Sequence, residues 1–93
     1  MSGLASKGIS GSDQALHTGR GRYFGFSLRE TAGAAAVVRI YDGASTAGTL
    51  IDSVSLAANE SAREWYGPMG VNIGTGIYID IVSGTVEGAI RLG

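Results

Sequence analysis

Apolar and polar residues alternate most regularly in residues 76–93, GIYIDIVSGTVEGAIRLG. Successive side chains of a β-strand point to opposite faces of a sheet, so this alternation predicts two half-buried strands. Between them, Ser83 and Gly84 favour a tight turn because glycine tolerates positive φ. A two-residue turn here pairs the strands as a hairpin with one apolar face, formed by Ile77, Ile79, Ile81, Val86, Ile90 and Leu92.

The same pairing brings two carboxylates, those of Asp80 and Glu87, directly opposite each other. Facing like charges destabilise a sheet, so we expect a nearby arginine, Arg91 or Arg39, to screen them. The alternative is that both carboxylates hold a cation, since oxygen ligands suit calcium. Asp80 and Glu87 are therefore weak candidate metal ligands.

Alternation also predicts strands over residues 21–29 and 35–42. In the first strand, Phe24 and Phe26 face one way and Tyr23 faces the other. The second strand is partly apolar on both faces, which is typical of a central strand or of one covered by a neighbouring subunit.

Two further strands are predicted over residues 49–56 and 60–66. In the first of these, Asp52 falls on the apolar face and Ile51 falls off it, so we expect a β-bulge near this pair to restore the register. Residues 60–66 could form one helical turn. A strand is the better prediction because the segment is short and Gly-Pro follows at once.

A glycine-rich loop, residues 67–75, follows Trp65 and Tyr66. Long loops often carry binding surfaces, and Trp, Tyr and Met are enriched at the centres of interfaces. Trp65, Tyr66 and Met69 are therefore candidate partner contacts, with a core position as the alternative for Trp65. The loop carries three apolar residues that we expect to be exposed: Met69, Val71 and Ile73.

Residues 1–19 show no sustained hydrophobic period. They predict an extended N-terminal arm, which is either frayed or ordered against a partner through Leu4, Ile9 and Leu16. Residues 20–93 then form a single domain. Short strands separated by glycine-rich turns are typical of an all-β fold. We expect an antiparallel β-sandwich (jelly-roll-like) or a small barrel of about six to eight strands.

Composition narrows the possible functions. The chain has 93 residues, a net charge of −1, sixteen glycines, no cysteine and one histidine. Disulfides and thiolate zinc sites are therefore excluded, and a second histidine for a transition metal is missing. Arg20 and Arg22 flank Gly21, but two arginines in a near-neutral chain are too few for a surface that follows phosphates. We expect no nucleic-acid partner, no secretory signal and no membrane span.

The motifs of common enzyme classes are missing as well. The glycine-rich stretches do not lead from a strand into a helix, so they are turns rather than phosphate loops. No serine lies in a nucleophile elbow. Nothing in their spacing singles out an acid–base pair among the carboxylates Asp52, Glu60, Glu64, Asp80 and Glu87. We therefore expect no catalytic residue and no cofactor.

Four motifs carry a resemblance to a known class of proteins: Arg29-Glu30-Thr31, Arg39-Ile40-Tyr41-Asp42-Gly43, Leu56-Ala57-Ala58-Asn59-Glu60-Ser61 and Trp65-Tyr66-Gly67-Pro68. With the order of the segments between them, residues 19–93 resemble small β-rich structural proteins of tailed bacteriophages of actinobacteria. The resemblance implies a virion protein, such as a capsid decoration (cement) protein or a piece of a tail fibre or spike.

The leading expectation is a decoration protein that binds the assembled major capsid protein as a homotrimer at the virion surface and stabilises the head. Its contacts would come from Arg20, Arg22, Tyr23, Trp65, Tyr66 and Met69, with the arginines as hydrogen-bond forks and the aromatic residues as anchors. Two alternatives stay open. One is a tail or spike module that stacks host-surface glycan on Trp65 and Tyr66. The other is a cation-dependent binding module that uses Asp80 and Glu87.

Overall fold

The structure of the protein is a computed structural model that describes residues 5–93. Within this range the fold is all-β, contains no helix, and has nine strands. Their bounds are β1 Ala5–Gly8, β2 Gln14–Thr18, β3 Gly21–Glu30, β4 Ala36–Asp42, β5 Thr49–Leu56, β6 Ser61–Trp65, β7 Val71–Ile73, β8 Gly76–Ser83 and β9 Val86–Leu92. None of the described residues belongs to a helix that could span a membrane.

Two antiparallel sheets face each other across the core. The five-stranded sheet has the order β1-β9-β3-β6, with the short β7 also pairing with β3. The four-stranded sheet has the order β2-β8-β4-β5. β4 is thus a central strand, as its two partly apolar faces predict.

The core forms where the inward positions of both sheets meet. Every strand from β2 to β9 except β6 contributes at least one buried residue to it, and Ala62 of β6 packs against its margin. The alternation in the sequence therefore identified the inward faces of β8 and β9 correctly. The fully enclosed aliphatic side chains are Val38, Ile40, Ile77, Ile79 and Ile90.

The predicted hairpin of β8 and β9 is wrong in its pairing. β8 pairs with β2 and β4, whereas β9 pairs with β1 and β3, so the chain crosses from one sheet to the other after Ser83. Gly84, with φ of 84°, makes the turn. The apolar faces of both strands still point to the core, because the inward faces of two stacked sheets look at each other. Alternation specifies the buried face and not the strand beside it.

The segment predicted as an N-terminal arm belongs to the sandwich from residue 5 onward. β1 pairs with β9 at one edge of the five-stranded sheet, and β2 pairs with β8 at one edge of the four-stranded sheet. The segment lacked a visible period because its strands are short and exposed on one side. Leu16 is nevertheless buried and Ile9 is half-buried against the core. Leu4 lies outside the described residues.

Two bulges set the direction of important side chains. The expected bulge in β5 is confirmed: Ile40 pairs with Asp52 and Tyr41 pairs with Leu50, which leaves Ile51 as the extra residue. Ile51 packs against the core and Leu50 is exposed. A second bulge, in β3, leaves Phe24 as the extra residue between Tyr23 and Gly25.

The glycine-rich loop is only partly a loop. Residues 71–73 form β7 beside the first residues of β3, and Ile73 is buried in the core. The expected exposure of Ile73 is therefore wrong, and Val71 is half-buried. Met69 is 67% exposed, as predicted.

Candidate partner-binding site

The bulge at Phe24 divides the aromatic residues between two sides of the five-stranded sheet. Tyr23 points inward and is fully buried, whereas Phe24 points outward. Gly25 completes the bulge with φ of 136°, and a Cβ atom on it would lie 2.0 Å from the carbonyl oxygen of Glu64. Only glycine fits this position, because it combines positive φ with close approach of the neighbouring backbone.

On the outer side, three apolar side chains and one arginine form a surface that we call the Trp65 patch: Arg22, Phe24, Trp65 and Met69. The rings of Phe24 and Trp65 stack with their centroids 5.6 Å apart. Phe24 is almost buried, whereas Trp65 is 54% exposed. Stacking of this kind holds the indole in one orientation without covering it.

The loop after β6 is fixed to this patch by two contacts. Nη1 of Arg22 donates a hydrogen bond of 2.7 Å to the carbonyl oxygen of Met69. Gly70 packs under the ring of Phe24, where a Cβ atom would come within 2.9 Å of the ring carbons. Met69 is therefore presented to solvent by an anchored backbone.

A shallow groove of about 370 Å³ runs beside Trp65 on the same sheet. Its lining residues come from β3, β6 and β9: Phe26, Ser27, Arg63, Glu64, Trp65 and Arg91. Nη1 of Arg91 is buried and has no hydrogen-bond partner among the described residues. The lining thus combines aromatic rings with two guanidinium groups and one carboxylate.

On the inner side, Tyr23, Tyr66 and Asp52 form a second group that we call the tyrosine–aspartate cluster. The hydroxyl of Tyr23 donates to Oδ2 of Asp52 at 2.8 Å, and the hydroxyl of Tyr66 donates to Oδ1 at 2.6 Å. Burial, together with the Asp52 carboxylate, raises the pKa of both tyrosine hydroxyls above the ordinary value of 10.0. The cluster joins β5 of one sheet to β3 and the end of β6 in the other.

The carboxylate of Glu30 has a structural role. Its side chain is fully buried, and its carboxylate accepts hydrogen bonds from the backbone N–H groups of Ala32, Gly33 and Asn59 at 2.7–2.9 Å. These bonds, that from Asn59 first, hold the pKa of Glu30 below its ordinary value. The carboxylate therefore ties the β3–β4 loop to the β5–β6 turn.

Asp42, at the C-terminal end of β4, also uses its carboxylate to hold a turn. Its carboxylate accepts hydrogen bonds from the backbone N–H groups of Gly74, Thr75 and Gly76 at 2.9–3.3 Å. These bonds, that from Gly74 first, lower the pKa of Asp42. This carboxylate fixes the turn that leads into β8.

The candidate cation pair is not formed. Asp80 pairs in register with Arg39 on β4, and Glu87 pairs with Arg29 on β3, so the two carboxylates lie in different sheets. Each carboxylate has an arginine on the neighbouring strand, as the screening interpretation expected for Asp80 and Arg39. Within residues 5–93, no group of three or more His, Cys, Asp or Glu side chains is arranged to hold a metal ion.

The structure separates the predicted contact residues into two groups. Arg22, Trp65 and Met69 lie together in the Trp65 patch, and Arg20 is exposed in the turn before β3. Tyr23 and Leu16 belong to the core, so their predicted role as partner contacts is wrong. Tyr66 is half-buried, with its hydroxyl turned to Asp52.

Sequence reasoning missed three residues of the site: Phe24, Arg63 and Arg91. Phe24 was placed on the same face as Phe26 because the bulge between Tyr23 and Gly25 was not foreseen. Arg63 shares one side of β6 with Trp65 in the sequence pattern, which was a usable signal. Arg91 could not be placed beside them, because its strand was paired with the wrong neighbour.

Comparisons of the chain with protein-family models, with curated proteins and with solved structures found no match.

Proposed function

We propose that the protein is a non-enzymatic structural protein of a tailed-phage virion, a capsid decoration protein that binds the assembled major capsid protein lattice and stabilises the head. The observation that carries the proposal is the Trp65 patch. Trp65 is held in solvent by stacking on Phe24, and Met69 is held there by the anchored loop. Neither exposed side chain contributes to the core. Exposed aromatic anchors on rigid elements are typical of binding surfaces.

Further support comes from the acidic residues. Glu30, Asp42 and Asp52 each accept hydrogen bonds that join separate parts of the fold. Their carboxylates are thus used for stability. What the five-stranded sheet offers to solvent is an aromatic, arginine-containing surface, which suits adhesion to another protein.

A homotrimer is part of the proposal. Leu50 and Val82 are about half exposed on the four-stranded sheet, which leaves apolar surface that copies of the chain can cover. Light scattering of the purified protein measures the subunit number directly, and a mass of one chain at all concentrations would contradict the trimer.

The deciding experiment has two parts. Quantitative mass spectrometry on purified virions counts copies of this chain, and a number near that of the shell protein is expected. Capsids without the chain are then mixed with the purified wild type, Trp65→Ala and Arg39→Gln, and sedimented together. Trp65→Ala should lose most of the binding, whereas Arg39→Gln, an exposed change on the other sheet, should retain it. Absence from virions, or full binding by Trp65→Ala, would overturn the proposal.

The groove beside Trp65 favours one second function, that of a tail or spike module for host-surface glycan. Tryptophan rings stack on sugars, and Arg63 and Arg91 offer hydrogen-bond donors next to the ring. A few copies per virion, with a shift of the fluorescence of the chain's one tryptophan on addition of cell-wall polysaccharide, would support this function over decoration.

A further inference from the structure

The groove is a gap between rows of side chains on the outer face of the five-stranded sheet. In one row Trp65 and Arg91 both pair with Gly25, so the middle position has no side chain. In the next row Arg63 and Ala89 both pair with Ser27. Small residues therefore lie in the middle of the gap, and Trp65, Arg63 and Arg91 rise around it.

The charge around the gap is positive. Arg63 is exposed, Arg91 is half-buried, and both line the groove. The single carboxylate in the lining, that of Glu64, is in register with the inward-facing Phe26. Its charge acts on the hydroxyls of Tyr23 and Tyr66, which lie on the inner side of the sheet. Glu64 thus borders the gap from the other side of β6.

Arg91 is half-buried, and one of its donors, Nη1, is covered by the fold, so a ligand in the groove can meet only the part of the guanidinium that faces the groove. Nη1 has lost its contact with solvent, yet it has no hydrogen-bond partner among the described residues. Burying part of a charged group without a partner is costly, and an anion on the open part of the same guanidinium would compensate its charge. A planar guanidinium pairs best with a planar anion that accepts two parallel hydrogen bonds, which is the geometry of a carboxylate.

We propose that this groove is a carboxylate-binding subsite that receives an aspartate or glutamate side chain of a protein partner. Arg91 binds the carboxylate, Arg63 adds a second positive charge, and Trp65 packs on the aliphatic part of the same side chain. That the partner is a protein rests on the proposed function. The carboxylate chemistry rests on the groove alone.

The test uses a small probe and the full chain. N-acetylglutamate α-amide has one free carboxylate, and N-acetylglutamine α-amide is its uncharged twin. Each is titrated into the isotope-labelled protein while NMR follows the indole N–H of Trp65, which gives one signal because the chain has one tryptophan. The glutamate probe should produce a saturable shift at millimolar concentrations, and the twin should produce none.

Variants then locate the binding. Arg91→Gln should weaken binding of the glutamate probe roughly tenfold or more, since it removes a charge-assisted pair. Arg91→Lys keeps the charge without the fork and should give an intermediate loss, and Arg63→Gln a smaller one. Arg39→Gln is the matched control on the other sheet and should bind as the wild type does. Dispersed amide spectra show that each variant is folded.

Three outcomes would overturn the inference: equal binding of the glutamine twin, unchanged binding by the folded Arg91→Gln variant, or much tighter binding of glucuronic acid than of the glutamate probe. The last outcome would assign the groove to an acidic sugar. The capsid sedimentation assay separates this inference from the proposed function. If the wild type binds capsids but shows no response to the glutamate probe, the decoration function is supported and the carboxylate subsite is rejected. If it responds to the probe but does not bind capsids, the subsite is supported and the decoration function is rejected.

Discussion

The tyrosine–aspartate cluster and the Trp65 patch use neighbouring residues of the same two chain segments in opposite ways. Tyr23 and Tyr66 point inward, and their hydroxyls share the carboxylate of Asp52. Phe24 and Trp65 point outward, stack on each other, and leave the indole in solvent. On the inner side every polar end has a partner. On the outer side the apolar surface is held in place but is not covered.

Residues that stabilise the fold and residues that are exposed for binding therefore lie on opposite sides of the same pair of strands. The inner cluster links the two sheets, so its loss should be measured in the free energy of unfolding. The outer patch adds little to the core, so its loss should be measured in affinity for a partner. Bulge geometry makes the separation possible, because Phe24 is inserted where a regular strand would continue to alternate.

Gly25→Ala should disrupt both the tyrosine–aspartate cluster and the Trp65 patch, and it should have the largest effect on the free energy of unfolding. Its Cβ atom would collide with the backbone of Glu64, and φ of 136° is strained for alanine. We expect a loss of about 3 kcal/mol or more of unfolding free energy, or failure to fold. Urea denaturation measures this. Gly33→Ala is the control, because Gly33 has positive φ of 79° but open space around it. Equal losses in both variants would mean that the collision does not matter.

Asp52→Ala should damage only the inner cluster. It leaves two tyrosine hydroxyls without their acceptor, and we expect a loss of about 2–4 kcal/mol. Asp52→Asn keeps one acceptor oxygen and should lose less. The measurement is denaturation at neutral pH together with the NMR shift of the Trp65 indole. A large change at Trp65 in a folded Asp52→Asn variant would contradict the independence of the two groups.

Tyr66→Phe should remove one hydrogen bond and about 1 kcal/mol. It should also change the pH dependence. Because the folded state raises the pKa of Tyr66 above 10.0, the unfolded chain releases this proton first and stability falls as pH rises beyond 10.0. Below pH 10.0 the contribution is fully present. Denaturation between pH 8 and the alkaline limit should therefore show a shallower decline in Tyr66→Phe than in the wild type. An identical decline would exclude Tyr66 from this effect.

Trp65→Ala should have the smallest effect on stability, about 1 kcal/mol or less, since Trp65 is 54% exposed and loses mainly its stacking on Phe24. Thermal melts of the variant and the wild type measure this. A loss comparable to that of Asp52→Ala would show that the outer patch is part of the stabilising core, and the separation of the two groups would then be wrong.

The positions of β3 to β6, β8 and β9 could be predicted because they depend on local alternation, whereas β1, β2 and β7 are too short to show it. β5 was placed at its observed bounds, and its bulge followed from Asp52 lying on the apolar face. Even that misplaced carboxylate had a local signal. The two tyrosine hydroxyls that bind the Asp52 carboxylate belong to residues 29 and 14 positions away in the sequence, so local alternation could not reveal them.

The pairing of strands could not be predicted in the same way. The pattern of residues 76–93 is compatible both with a hairpin and with a connection that crosses between the sheets, because both arrangements bury the same isoleucines. The candidate cation pair depended on the hairpin and disappeared with it. Likewise, Tyr23 was assigned to the surface because a single unforeseen bulge reverses the face of every residue before it.

The path of the chain through the two sheets has a consequence for biosynthesis. Within residues 5–93, β1 pairs with β9 alone and β2 pairs with β8 alone, so neither can pair before β8 and β9 have been made. Contacts between distant segments slow folding, and a nascent chain cannot complete either sheet before β8 and β9 have left the ribosome. Until then the apolar faces of β3 and β4 stay uncovered. We therefore expect the two sheets to form together, in one cooperative step, after β8 and β9 have been made.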